Sequence, residues 1–205
     1  VVPFTVYRLP FTVHHIPMHW KTLSSEYISN HIYFTARRDR CQRDDGTIVD
    51  PYFVVELPTS ATALALTADN KVLMVKQYRH PIGEVILETP GGFIDPGEDF
   101  ETGMKRELLE ETGYAFDNIE FLGRVAANPG VLNNYTELFL ARGGIRQGQQ
   151  QLDHNEEIEV VEISLDELTA MLLRQEIKQS LHVNCIFFAL LKMGRMAFTG
   201  SAPQQ

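Results

Sequence analysis

The stretch that most constrains this chain is residues 92–114, GFIDPGEDFETGMKRELLEETGY. From Glu98 to Thr112 its composition is helical, and Gly113 stands where a left-handed C-terminal cap belongs. At about 100° per residue, Glu107, Glu110 and Glu111 fall within roughly a 100° arc of that helix. Like charges at this spacing repel by roughly 0.2–0.5 kcal/mol per pair in a solvated helix, and more when buried. A bound cation readily explains grouping them on one face. Oxygen-only ligands suit a hard divalent ion, Mg²⁺ or Mn²⁺ as its substitute. The plainer alternative is a solvated acidic face balanced by Lys105 and Arg106.

Composition narrows the class of protein. With 205 residues, 44% hydrophobic and 22% charged, the chain suits one globular domain, or one domain with a small N-terminal extension. A net charge of -9 argues against a nucleic-acid backbone as partner. No apolar run reaches the roughly 18 residues of a membrane span, so no membrane partner is expected. Two cysteines, Cys41 and Cys185, make neither a disulfide framework nor a zinc site and fit a reducing cytoplasm. Residues 1–17 are apolar and aromatic, interrupted by Pro3, Pro10 and Pro17, without the basic start or cleavage site of a signal peptide. They read as an upstream extension, or as an edge strand or dimer contact.

The flanking segments read as a sheet. Ile28 to Arg38 and Thr47 to Leu57 are β-rich runs joined by the turn Arg43-Asp44-Asp45-Gly46, and Pro58 ends that unit. Strands are expected at 61–67, 72–78, 85–88, near 119–126, at 135–142 and at 159–163. Residues 143–152, rich in Gly and Gln, read as a mobile loop. Ser164 with Glu167 forms a capping box for a helix through about Leu173, and a last helix covers 181–193. The expected organisation is an extension (1–17), an N-terminal β subdomain (18–58), a main domain (59–198) and a tail (199–205). The expected fold class is α/β (α+β): an α/β/α sandwich with a mixed sheet, plus a small N-terminal antiparallel β-sheet subdomain.

The acidic stretch matches a longer pattern: Gly92, five residues, Glu98, seven residues, Arg106-Glu107, apolar Leu108, any residue, Glu110-Glu111, any residue, Gly113, apolar Tyr114. On average composition a chance match is rarer than about one in 10⁸ per register. This pattern resembles the Nudix box, and the resemblance implies a metal-dependent hydrolase of nucleoside-diphosphate compounds. It implies that Glu107, Glu110, Glu111 and the Gly91 carbonyl bind the metal, and that Arg106 orients the carboxylates. Glu98 serves as a further ligand or holds Arg106. Leu108 faces away from the acids onto the sheet.

Outer features resemble the branch that hydrolyses ADP-ribose and related nucleoside-diphosphate sugars. That branch pairs as homodimers through a β-rich N-terminal segment. Gln77-Tyr78-Arg79 and Leu87-Glu88-Thr89-Pro90-Gly91-Gly92 parallel its approach to the box. Arg79 is a candidate phosphate or sugar contact, or a surface ion pair. Glu88 is a candidate metal or water contact in the substrate site, or a structural carboxylate. Pro129, in the turn Asn128-Pro129-Gly130, matches a proline of the branch, and Asn133 and Asn134 are candidate substrate contacts or loop polar groups. The segment 152–158 resembles the loop that supplies the catalytic base. There the branch has Glu-x-Glu; Glu156 matches its second glutamate, while His154 stands where the first would be. Glu156, His154, Glu157 and Asp153 all remain candidates for the base. Trp20, Tyr52 and Phe53 could stack a nucleobase or pack within strands. The expected reaction gives a nucleoside monophosphate and a sugar phosphate. Another Nudix substrate, such as GDP-mannose or a dinucleoside polyphosphate, or a non-catalytic nucleotide-sugar-binding module, are the alternatives.

Overall fold

The computed structural model describes residues 19–31, 34–154 and 156–197. The expectations for residues 1–17 and the tail 199–205, together with Asn155, lie outside these described residues. In chain order the elements are β1 (Lys21–His31), β2 (Phe34–Gln42), β3 (Ile48–Glu56), β4 (Ser60–Thr67), β5 (Val72–Arg79), a 3-10 turn His80–Ile82, β6 (Glu84–Glu88), α1 (Phe100–Thr112), β7 (Tyr114–Ala115), β8 (Asn118–Val125), β9 (Thr136–Arg146), β10 (Ile158–Ile163), α2 (Leu165–Leu173) and α3 (Ser180–Lys192). The chain divides into two compact units, Val1–Val54 and Val55–Gln205.

The first unit holds a small antiparallel sheet of order β1-β2-β3. The polar turn expected at 43–46 forms: the Gly46 amide donates to the Arg43 carbonyl at 2.9 Å, and the Thr47 amide to Asp45 Oδ1 at 2.9 Å. Gly46 takes φ +85°, a conformation that favours glycine. The expected single run Ile28 to Arg38 is instead two strands. β1 ends at His31, β2 begins at Phe34, and these two residues pair across the ladder. Ser29 and Asn30 are the turn-forming types near that reversal, and both lie inside β1, so turn chemistry left no mark. Trp20 and Tyr52 pack edge to face at 5.9 Å between ring centroids.

The second unit is a seven-stranded mixed sheet in the order β10-β5-β4-β9-β7, with β6 paired to β5 and β8 to β9. The central pair, β4 and β9, is parallel, and the other pairings are antiparallel. Alternation along the central strands sorts their side chains to two faces. Ala61, Ala63, Ala65, Leu73, Phe139 and Ala141 meet Met104 and Leu108 of α1. Leu64, Leu66, Val72, Met74, Leu138 and Leu140 meet Leu168 and Leu172 of α2 and Ile186, Ala189 and Leu190 of α3. Three alanines on the α1 face of β4 leave room for that helix to sit close. The result is the α/β/α sandwich. Among the described residues, no helix is long and apolar enough to cross a membrane.

Helix ends follow their sequence signals. Asp99 caps α1 by accepting the Thr102 amide at 3.0 Å, so the helix starts at Phe100 rather than at Glu98. Gly113 takes the left-handed cap at φ 75°, its amide reaching the Leu109 carbonyl at 2.8 Å. Ser164 caps α2 through the Glu167 amide at 3.1 Å. The loop expected at 143–152 differs. β9 continues to Arg146 through a register shift opposite Thr67, with Gly143 at φ +77°. A β-bulge, not a strand end, is what the glycine pair encodes. Gly144 lies under the Phe116 ring, where a Cβ would stand 2.4 Å from Phe116 Cζ. Residues 147–151 then run along the C-terminal end of α1, bonded to its carbonyls.

Candidate active site

The site is built where α1 passes the segment Pro90-Gly91-Gly92. That segment is pinned to β4, since the Ala63 amide donates to the Pro90 carbonyl at 3.1 Å and the Ala61 amide to the Gly92 carbonyl at 2.8 Å. The Gly91 carbonyl between them stands outside this ladder. Gly91 has φ +152°, and a Cβ there would lie 2.1 Å from the Ala61 carbonyl oxygen, so only glycine fits. At Gly92 a Cβ would lie 2.5 Å from Glu107 Oε2, so the Glu107 carboxylate rests directly on bare backbone.

The three helix acids occupy different environments. Glu111 is 6% exposed, and its Oε2 accepts the Gly91 amide at 2.7 Å. Burial, joined by the Glu107 and Glu156 charges, pushes its pKa up to about 8 against the opposing help of that hydrogen bond. Glu107 is raised to about 6, again chiefly by burial, with Arg106 lowering it and Glu110 and Glu156 raising it. Glu110 lies nearer solvent. Arg106 donates from Nη1 to Glu107 Oε1 at 2.8 Å and to Glu110 Oε2 at 2.9 Å. Its Nε and Nη2 engage Glu98 at 3.2 and 3.0 Å, and Nη2 also reaches the Phe93 carbonyl at 3.1 Å. Glu98, foremost among these partners, raises the Arg106 pKa above its usual value. Glu98 therefore holds Arg106, and Arg106 holds the acids.

These residues fit a divalent cation chemically. One buried and one half-buried carboxylate whose charges desolvation disfavours, one more exposed carboxylate and the Gly91 carbonyl make an oxygen set that a cation would relieve. Among the described residues, no three His, Cys, Asp or Glu side chains stand together as a ready metal cluster. The Arg106 guanidinium bridges Glu107 and Glu110 in this arrangement.

Beside the acids lies an ion pair with one buried member. Glu88, 1% exposed at the end of β6, accepts from Arg79 Nε at 3.1 and 3.0 Å and from Nη2 at 2.7 Å. Arg79 is partly exposed, and its charge lowers the Glu111 pKa, so it lies near the helix acids. Behind Glu88 stands His182 of α3. Its Nδ1 is 2.6 Å from Thr89 Oγ1, and its Nε2 is 3.4 Å from Glu88 Oε1 with no better partner. Burial pushes this imidazole down to about 3, so it is neutral. Nothing in the sequence singled it out.

Of the four candidates for the base, Glu156 is the one whose charge is felt by both Glu107 and Glu111. Its backbone amide donates to the Asp153 carbonyl at 3.0 Å, and its Oε2 accepts the Asp153 amide at 3.0 Å. Asp153, His154 and Glu157 are exposed, and among the described residues no hydrogen bond joins their side chains to α1. Pro129 lies exposed in a turn closed by Val131 and Leu132 amides on the Asn128 carbonyl, at 3.1 and 2.8 Å. Asn134 donates to the Pro58 carbonyl at 2.9 Å, and Asn133 Oδ1 accepts the Leu57 amide at 3.0 Å. These asparagines fasten loop to loop. Among the described residues, the buried Asn134 Oδ1 meets no hydrogen-bond donor.

Comparison with known proteins agrees with this geometry. The profile of the NUDIX domain matches residues 56–182, and that of the nucleoside diphosphate sugar hydrolase N-terminal domain matches residues 20–55. The chain is 31% identical over 177 residues to the methanol dehydrogenase activator of Bacillus methanolicus, covering 84% of this chain and 93% of that protein. It is 31% identical over 140 residues to the ADP-ribose pyrophosphatase of Bacillus subtilis, covering 68% and 76%. A crystal structure of an ADP compounds hydrolase matches with TM-score 0.75 at 20% identity, over 86% of this chain and 97% of that one, a likeness of fold.

Proposed function

The chain belongs to the Nudix family, and from that membership we propose that it hydrolyses the diphosphate linkage of ADP-ribose or a related nucleoside-diphosphate sugar, releasing a nucleoside monophosphate and a sugar phosphate. The observation that carries this reading is the pair of acids, buried Glu111 and half-buried Glu107, packed on Gly91 and Gly92. Glu107, Glu110, Glu111 and the Gly91 carbonyl would hold Mg²⁺, with Mn²⁺ as a substitute. When bound, a divalent ion neutralises the diphosphate oxygens and makes water a better nucleophile. Arg106, bonded to both, orients Glu107 and Glu110. Arg79, held by buried Glu88, presents its exposed edge to a phosphate or sugar oxygen. Glu156 takes the proton from the attacking water, ahead of Asp153, His154 and Glu157, because its charge reaches the acids. Pro129 shapes the rim of the substrate site, and Asn134 acts by fastening the loop behind it.

The reading extends to the whole chain. Residues 18–58 would pair two copies as a homodimer, supported by the exposed Leu23, Tyr27, Ile28 and Phe34 of β1 and β2. Residues 59–198 would carry catalysis. Free, buried Cys41 and Cys185 fit a cytoplasmic setting.

The test is a substrate panel with Mg²⁺ or Mn²⁺: ADP-ribose, ADP-glucose, GDP-mannose, NADH and diadenosine polyphosphates, scored for nucleoside monophosphate release. ADP-ribose or another nucleoside-diphosphate sugar should be cut fastest, and a chelator should stop the reaction. Tight binding of these compounds without cleavage would favour a binding module.

A further inference from the structure

A helix leaves its last carbonyls without intrahelical partners. At the C-terminal end of α1 those carbonyls are met by the segment after β9. The Gln151 amide donates to the Glu110 carbonyl at 2.8 Å. The Gln147 and Gly148 amides donate to the Gly113 carbonyl at 2.9 and 3.3 Å. The Gln150 side chain reaches the Glu111 carbonyl, with Nε2 to oxygen at 2.7 Å. The approach is close enough that a Cβ at Gly113 would lie 2.5 Å from the Gly148 carbonyl oxygen. Gly113 therefore serves twice, as left-handed cap and as the gap that admits this segment.

Gln150 does more than cap. The same Nε2 donates to the Ile158 carbonyl at 3.1 Å. A carboxamide nitrogen has two hydrogens, so these two acceptors use both. Ile158 opens β10 and pairs with Gln77 of β5, which fixes it to the sheet. One side chain thus joins the backbone of Glu111, the most buried helix acid, to the residue that closes the segment 151–157. Glu156 lies within that segment, two positions before Ile158.

We propose that Gln150 is a positioning residue for the hydrolytic site: its amide clamps the ends of segment 151–157 to α1 and so sets where the Glu156 carboxylate stands relative to Glu107 and Glu111. The proposal rests on the reading of Glu156 as proton acceptor. It touches no substrate and holds no metal. Gln150→Glu keeps the size of the side chain but sets a carboxylate against two carbonyl oxygens, and Gln150→Ala removes the clamp.

The test combines amide hydrogen exchange on the full chain with steady-state kinetics on the best substrate of the panel. Both variants should exchange faster within 147–158 while α1 and the central strands exchange as before. Turnover should fall about tenfold or more with KM within twofold, the mark of an interaction used in the transition state. Adding Gln150→Ala to Glu156→Gln should cost little more than Glu156→Gln alone, because both act through one group. Unchanged exchange in 147–158 would overturn the proposal, as would turnover within twofold of wild type or losses that multiply in the double variant. If the wild type cuts nothing in the panel, the hydrolase reading fails by itself. The exchange pattern then decides whether Gln150 holds the segment.

Discussion

The acid face of α1 and the segment 153–157 supply the two halves of the same proposed chemistry, yet they are held by different means. On α1 the acids follow from helical spacing, and each is fixed by a local contact: Glu111 on the Gly91 amide, Glu107 on Gly92, and Glu110 on Arg106. In the later segment Glu156 bonds to the Asp153 backbone, and the tie to α1 comes from just before it, through Gln150 and Gln151. A cation site whose carboxylates repel must be built on rigid backbone. A group that takes a proton needs only to reach the water, so a tethered segment suffices.

The comparison breaks most visibly at Glu111. Glu111→Gln should lower metal-dependent turnover on the order of 10³-fold by removing a charge from the cation site. Its melting temperature should hold or rise, because an amide still accepts from Gly91 and is buried neutral without taking up a proton. Turnover near wild type would refute the helix as the metal platform. In the other half, Glu156→Gln should cost about 10²-fold, the low end for general acid–base catalysis. His154→Ala and Glu157→Gln should stay within about threefold, and the reverse order in a side-by-side assay would move the base. Gly92→Ala sharpens the contrast. Its Cβ displaces the flexible Glu107 carboxylate rather than backbone. We expect turnover to drop by about tenfold while thermal stability changes by no more than about 1 kcal/mol, as read by activity and melting.

The smallest effect is in pH. In metal-free protein the Glu111 pKa of about 8 exceeds its ordinary 4.5, so the folded chain keeps a proton that the unfolded chain releases. That contribution is complete below pH 4.5 and is lost as pH rises through 8. His182 works the other way. Held near 3 instead of 6.5, it favours the folded state fully above pH 6.5 and loses that contribution as pH falls toward 3. A metal competes with the Glu111 proton, so Mg²⁺ should raise the melting temperature more near pH 8.5 than near pH 6, by about 2–4 °C per kcal/mol of linkage. An equal rise at both would separate Glu111 from the metal.

The same contrast governs what could be read from sequence. The acids of α1 and the Gly113 cap were legible because helical period and cap chemistry leave fixed spacings. The strands β4 and β5 were legible, the first as a short apolar run and the second from alternation. The β1–β2 reversal was not, since no glycine or proline marks it. The continuation of β9 through Gly143 was misread as a loop, because a glycine bulge and a loop have the same composition. Gln150 and His182 act through side-chain bonds to other elements, and such bonds leave no period in the sequence.

The central claim is that α1 is the metal platform. It is tested most directly by titrating Mn²⁺ into wild type and Glu107→Gln, Glu110→Gln and Glu111→Gln, following loss of the free-ion electron paramagnetic resonance signal. Wild type should bind Mn²⁺ saturably, and each neutralised acid should weaken binding by about tenfold or more. Equal affinity in wild type and all three variants would contradict the account.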